Sequence, residues 1–213
     1  MKLVQMTVEN FIREVDSSSP APGGGSVSAL ASSLGVSLAR MVGHLTFGKK
    51  KYNELSDEIK VNFIHSFHSL EKINHELIEL IDKDTENFNL LMATFKMPKD
   101  TSDEISKRNE AIQKATILAT DTPLKMAELS LKALEFLDDF IQYGNKNAIT
   151  DVGVAALLAT AGAKGAIYNV KINLPGIENE MIVKEVKHQC EHILTNIKKI
   201  SLEIEEKIEK RLV

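Results

Sequence analysis

The sequence predicts an all-α protein, a bundle of long helices in a single domain spanning residues 1–213. Three observations predict it. Ala, Leu, Ile, Lys and Glu dominate, Trp is absent and aromatic residues are only 5% of the chain, a composition that favours helix. Apolar residues recur at steps of three and four over long runs, with no strand-like alternation. Pro and Gly gather at a few points between those runs, where they punctuate rather than fill. No low-complexity tract or internal repeat is present.

Thr7 is placed to cap a first helix running to about Asp16, with Val8, Phe11, Ile12 and Val15 as its apolar face. Ser17 to Pro22 ends it, and Pro20-Ala21-Pro22-Gly23-Gly24-Gly25-Ser26 leads into a second helix from about Gly24 to Phe47. That helix carries Ser26, Ala29, Ser33, Ser37 and Gly43, with Ala31 and Gly35 elsewhere on its surface. Small side chains let backbones approach closely, so it is expected at the core or at a subunit interface. Gly48-Lys49-Lys50-Lys51-Tyr52 is a break, and a long helix is expected from about Asn53 to Phe95. Met97 to Asp100 form a loop. Thr101 or Ser102 caps the next helix, with Asp103 and Glu104 suiting its first turn. Asp121-Thr122-Pro123 is expected to kink or restart that helix, which then runs to about Leu137. Asp138 to Gln142 add a turn or two, and Tyr143 to Asn147 form a turn. A glycine-rich helix covers about Ala148 to Asn173 and stops at Leu174-Pro175-Gly176. The last helix, about Glu178 to Arg211, repeats Ile182, Val186, Ile193, Ile197, Ile200, Ile204 and Ile208 at helical spacing.

The totals narrow the functional classes. With 30 acidic and 26 basic side chains the formal charge is −4, so no electrostatic footprint favours nucleic acid or an anionic membrane. The one cysteine, Cys190, rules out an internal disulfide framework and suits a reducing, cytoplasmic compartment. The N-terminal stretch lacks the apolar core of a signal peptide, and no run of 18 uninterrupted apolar residues predicts a membrane span.

Four groups of residues are candidates for chemistry. Gly23, Gly24, Gly25 and Ser26 stand at a helix N-terminus, where free N–H groups seat anions or polarised carbonyls; a flexible linker or tight turn is the alternative. Neither phosphate-loop pattern, GxxxxGK[ST] or a strand-preceded GxGxxG, is present. Asp84 falls on the apolar stripe Leu70, Ile73, Leu77, Ile81, Phe88 and Leu91, whereas Asp82 is turned away toward water. A carboxyl among apolar neighbours resists ionisation and suits a proton donor, although a buried Asp also serves to cap a neighbouring helix or pair with a cation. Asp151 sits in the first turn of the glycine-rich helix and shares a face with Asn169 and Asn173. Eighteen helical residues span about 27 Å, so Asp151 and Asn169 meet one small site only if the helix breaks or a second subunit contributes. Lys49, Lys50 and Lys51 form a solvated turn that would attract carboxylates if it bordered a cleft. His188 and His192, like His65, His68 and His75, lack a metal-ligand pattern and read as surface histidines.

Taken together, Pro22-Gly23-Gly24-Gly25-Ser26, Leu45-Thr46-Phe47-Gly48-Lys49-Lys50-Lys51-Tyr52, Ile81-Asp82-Lys83-Asp84 and Tyr168-Asn169-Val170-Lys171-Ile172-Asn173-Leu174 resemble a known family. It is the formimidoyltetrahydrofolate cyclodeaminase / methenyltetrahydrofolate cyclohydrolase family, and the resemblance runs in order through essentially the whole chain. It implies an all-helical homodimer acting on tetrahydrofolate one-carbon derivatives, with no metal and no cofactor beyond the folate. The family's proton donor, the second acid of a D-x-D-x-x-x-F segment, corresponds to Asp84, the residue that periodicity selects. By the same resemblance Gly23 to Ser26, Asn169 and Asn173 would hold the pterin or carbonyl groups, and Lys49 and Lys50 the glutamate carboxylates. The implied reaction is conversion of 5-formimidoyltetrahydrofolate to 5,10-methenyltetrahydrofolate and ammonia. The alternatives are hydrolysis of the methenyl ring to 10-formyltetrahydrofolate and a non-catalytic helical dimer that binds folate.

Overall fold

The computed structural model describes residues 2–212, and among them the chain forms seven α-helices and no strand. They are α1 (Val8–Val15), α2 (Gly24–Thr46), α3 (Lys50–Asn53), α4 (Asp57–Thr94), α5 (Ser102–Tyr143), α6 (Ile149–Asn173) and α7 (Glu180–Leu212). Single turns of 3-10 helix at Leu3–Gln5, Lys146–Ala148 and Leu174–Gly176 join them. Helices α2, α4, α5 and α6 make the core, and α7 lies along α5 and α6.

The most extensive pairing is between α2 and α6, which run antiparallel. Their closeness is set by missing side chains. A Cβ on Gly35 would stand 2.7 Å from the carbonyl oxygen of Ala155, and one on Gly162 would stand 2.0 Å from Ser32 Oγ. Ser32 in turn shares a buried 2.7 Å hydrogen bond with Ser130 of α5, so three helices meet at one small-residue crossing. By length and composition α2 is the one described helix able to cross a bilayer, but 56% of its apolar window is buried within the bundle. The expected small-residue face is therefore a core face, except that Ser37 points to solvent. Beyond that crossing Phe63, Phe67 and Phe140 fill the space beside Gly43.

Three expectations about the elements need correction. The long helix begins at Asp57 rather than near Asn53: Ser56 caps it, accepting the Ile59 N–H at 3.4 Å, and Lys50–Asn53 is a separate turn of helix. Helix α5 neither restarts at Pro123 nor stops near Leu137, and runs unbroken to Tyr143. The apolar face of α1 is not fully covered: Phe11 is buried, while Val8 and Ile12 are 79% and 59% exposed.

The continuity of α5 has a local cause. Proline has no N–H for the carbonyl four residues back, here that of Ala119. Asn173 Nδ2, at the C-terminus of α6, donates to that oxygen at 2.8 Å. The neighbouring carbonyl of Leu118 accepts from Thr122 Oγ1 at 3.1 Å and from Asn87 Nδ2 at 3.3 Å. Side chains from two other helices thus supply the donors around the proline. Asn173→Ala is expected to lower stability by about 1 kcal/mol. Adding Pro123→Ala, which returns an N–H to Ala119, is expected to recover most of the loss. Denaturant unfolding of the two single variants and the double variant measures that coupling.

Candidate active site

Helix α2 starts without a side-chain cap, because its N-cap residue is Gly23 in extended conformation. Its first turn is Gly24, Gly25 and Ser26, and the orphan N–H groups there need acceptors from elsewhere. Asp84, arriving from the middle of α4, provides one: Ser26 N–H donates to Asp84 Oδ2 at 3.0 Å. The carboxyl lies so close to the backbone that a Cβ on Gly25 would be 2.2 Å from Oδ1 and 2.4 Å from Oδ2. Gly25 is thus a space requirement of Asp84. The Ser26 side chain secures the same crossing, with Oγ 2.7 Å from the Ile81 carbonyl, 3.1 Å from Thr85 Oγ1 and 3.4 Å from Asp84 Oδ2. Among the described residues none donates a hydrogen bond to Oδ1.

Across the same turn, α6 brings Asn169 to Gly24, where a Cβ would meet Nδ2 at 3.1 Å. Asn169 spends that amide on the Gly165 carbonyl at 2.9 Å, which leaves its Oδ1 as an acceptor. Asp84 and Asn169 therefore flank neighbouring glycines of one helical turn.

Burial pushes the Asp84 carboxyl above the usual carboxylate range, and the backbone and side-chain hydrogen bonds from Ser26 pull against it without cancelling it. The α2 N-terminus also favours negative charge at that spot. Asp84 thus holds its proton where an ordinary Asp has lost it, beside donors that accept the charge once the proton leaves. Asp82, expected to face only water, accepts the Leu3 N–H at 2.5 Å and ties the N-terminal turn to α4.

The remaining sequence candidates do not converge on this turn within one protomer. Asn173 is engaged with Ala119. Gly23 contributes as the N-cap of α2. Asp151 sits at the opposite end of α6, about 27 Å along the helix from Asn169. Lys49 and Lys50 are exposed beyond the C-terminus of α2, about 34 Å along its 23 residues from Gly24. His65, His68, His75, His188 and His192 are exposed, and among the described residues no three His, Cys, Asp or Glu side chains are grouped to hold a metal ion.

Sequence reasoning missed Asn87 and Thr85. Asn87, not Phe88, is the fully buried position one turn past Asp84, with Nδ2 2.7 Å from Thr122 Oγ1. Its only signal in the sequence is a polar residue one step off an apolar stripe, which does not reveal a partner 35 residues away.

The raised Asp84 carboxyl has a signed consequence for stability. The unfolded chain ionises in the ordinary range and the folded chain later. Asp84 therefore favours the fold below that range, and the benefit is lost as pH rises through the folded value. Asp84→Asn keeps an acceptor for Ser26 without the charge. Its melting temperature should exceed wild type increasingly toward alkaline pH and converge with it in acid, as read by thermal melts across pH.

Fold and site together define an all-α protein with a partly buried carboxyl of raised proton affinity at the head of a glycine-started helix. The chain belongs to the formiminotransferase-cyclodeaminase family, whose model matches residues 7–192. It is 33% identical over 196 residues to formimidoyltransferase-cyclodeaminase of Rattus norvegicus, an alignment that covers 92% of this chain and 36% of that protein. It thus spans about a third of the rat protein's length. A methenyltetrahydrofolate cyclohydrolase of Methylorubrum extorquens is 32% identical over 206 residues and matches end to end, with 97% of each chain covered. Both relatives are enzymes by name. The fold is that of a formiminotetrahydrofolate cyclodeaminase from Thermotoga maritima, with a TM-score of 0.84 at 24% identity over 98% of both chains.

Proposed function

We propose that this chain is a folate one-carbon enzyme that converts 5-formimidoyltetrahydrofolate to 5,10-methenyltetrahydrofolate and ammonia, with Asp84 as the proton donor. The observation that carries the reading is a carboxyl whose ionisation burial resists, with Oδ1 left open beside the glycine turn. In the reaction N10 attacks the formimidoyl carbon; the C–N10 bond forms and the bond to the departing nitrogen breaks. That nitrogen carries one hydrogen and takes two more, one from N10 and one from Asp84, to leave as ammonia. The cationic methenyl product then stands beside the Asp84 carboxylate. A positioned acid contributes about 10²–10⁴-fold, and alignment of N5, carbon and N10 adds to it.

The Gly24 and Gly25 backbone and Asn169 Oδ1 are the groups within reach of a flat ligand at Asp84. Asn173 supports the floor of that region through α5 rather than contacting the ligand. No cofactor beyond the folate is required by this chemistry, and the reading places the protein in the cytoplasm. The end-to-end relation to the Methylorubrum extorquens protein favours a second reading, cyclohydrolase action on the methenyl compound. That reaction needs a base to activate water, and a carboxyl whose hold on its proton is strengthened by burial suits the donor role better.

Assembly completes the proposal. A groove of about 660 Å³ between α1 and α2 is lined by apolar side chains, including the exposed Val8, Ile12, Val27 and Leu34. On α6, Val154 and Leu157 are also exposed. An uncovered apolar surface of this kind fits a homodimer. Two α2 helices laid antiparallel across a two-fold axis would set Lys49 and Lys50 of one copy near the Asp84 end of the other, within reach of the folate's glutamate carboxylates. Leu34→Glu is expected to yield a monomer by light scattering and to lose most activity while keeping its helical spectrum.

Parallel incubations with 5-formimidoyl- and 5,10-methenyl-tetrahydrofolate, assayed for ammonia and for methenyl absorbance, test the activity. Ammonia with rising absorbance is the expected result, and Asp84→Asn should lose about 10²–10⁴-fold in rate. Loss of methenyl absorbance without ammonia would select the cyclohydrolase. Calorimetric binding of tetrahydrofolates with no turnover of either compound would leave a binding protein.

A further inference from the structure

We infer that Ser26 is a positioning residue for the acid: it holds Asp84 Oδ2 as the acceptor oxygen, so that the transferable proton is carried on Oδ1, the oxygen open to the ligand. The inference rests on Asp84 as the acid of the proposed reaction.

The geometry assigns the two carboxyl oxygens different roles. Oδ2 receives the Ser26 N–H at 3.0 Å, and a backbone donor aimed at one oxygen of a neutral carboxyl favours that oxygen as the carbonyl. The Ser26 hydroxyl hydrogen has a better place to go, the Ile81 carbonyl at 2.7 Å, than Oδ2 at 3.4 Å. That bond pins the first turn of α2 to α4 one turn before Asp84, fixing the N–H that meets Oδ2. The glycine at 25 lets the carboxyl lie against the backbone, and Oδ1 receives no donor among the described residues. With Oδ2 committed as the acceptor, the proton belongs on Oδ1, the oxygen that no protein donor claims among the described residues. When the proton passes to the departing nitrogen, the electron pair of the broken O–H bond stays on the carboxylate. The new charge is met at Oδ2 by the Ser26 N–H and the α2 N-terminus.

No other ionisable side chain contributes to this balance. Helix α2 has none before Arg40. On α4, Lys83 stands 3.4 Å from Glu86 and Asp82 is bonded to Leu3. Helix α6 brings Asn169 to the turn, with Lys164, Tyr168 and Lys171 exposed, and Asp121 on α5 is exposed. Ser26 is itself fully buried, so its hydroxyl serves these internal contacts.

The test reads the carboxyl directly. Infrared difference spectra of wild type and Ser26→Ala, each with Asp84→Asn subtracted, are recorded across pH. Wild type should show a protonated carboxyl whose C=O stretch is lowered by a hydrogen bond. In Ser26→Ala the stretch should move toward the unbonded frequency and the titration midpoint should rise, because the backbone N–H that favours ionisation is no longer held against Oδ2 by the hydroxyl's bond to the Ile81 carbonyl. Ser26→Thr, which keeps the hydroxyl, should return both toward wild type. In turnover, Ser26→Ala should lose on the order of tenfold in kcat with KM little changed, the alkaline limb of its pH profile moving upward. An unbonded C=O stretch in wild type would place the proton on Oδ2 and overturn the inference. So would a Ser26→Ala titration that matches wild type, even if that variant melts lower, since a purely structural serine predicts that result. The spectra decide the matter whether or not either folate is turned over, so failure of the proposed reaction and failure of this inference are separable.

Discussion

The contact between Asp84 and the first turn of α2 is the constraint on which the rest of the site depends. A helix that starts with glycines has no side chain of its own to satisfy its first N–H groups. A carboxyl taken out of water needs donors. Each supplies what the other lacks, at the single donor–acceptor pair of Ser26 N–H and Asp84 Oδ2. The match is incomplete in its chemistry: burial outweighs the donors and raises the carboxyl's hold on its proton, while the Ser26 bonds favour the carboxylate. In the proposed reaction that balance would serve a donor that loses and regains a proton.

Everything around the pair acts to hold the two helices at that separation. Gly35, Gly162 and the serines between α2 and α6 allow a backbone approach that any larger residue would prevent. The consequence reaches the site, since the same pairing brings Asn169 against Gly24. On the other side, α5 passes through Pro123 without breaking because Asn173 and Asn87 supply donors to the adjacent carbonyls of Ala119 and Leu118, one turn before the proline. Polar residues at helix interiors, which weigh against helix as single residues, here serve contacts between helices. Ordinary apolar packing around Phe63, Leu70, Leu77 and Leu134 supplies the bulk of the core, and the polar contacts set its register at the Asp84 end.

One protomer separates residues that the chemistry of a polyanionic ligand would bring together. The glycine turn and Asp84 lie at one end of α2, and Lys49 and Lys50 lie beyond the other. Helices are rigid rulers, so no side-chain motion closes that gap. The exposed apolar residues of α1, α2 and α6 give a physical motive for the proposed second copy, which would also join the two ends.

Periodicity was enough to recognise the helices and to single out Asp84, because a helix displays its burial pattern in its own sequence. The cap at Thr101, the start of α2 at the glycines and the end of α6 at Leu174-Pro175-Gly176 were legible for the same local reason. The fate of Pro123, the engagement of Asn173, the burial of Asn87 and the reason for Gly25 were not. Each depends on an atom from a helix distant in the sequence, and no local pattern encodes which helix will be the neighbour. The sequence by itself determined that this is an all-α protein with an acid set on an apolar helical stripe. Only the tertiary structure decided that the acid meets a bare helix N-terminus, since burial and donors arrive from different helices and their balance exists only once those helices touch.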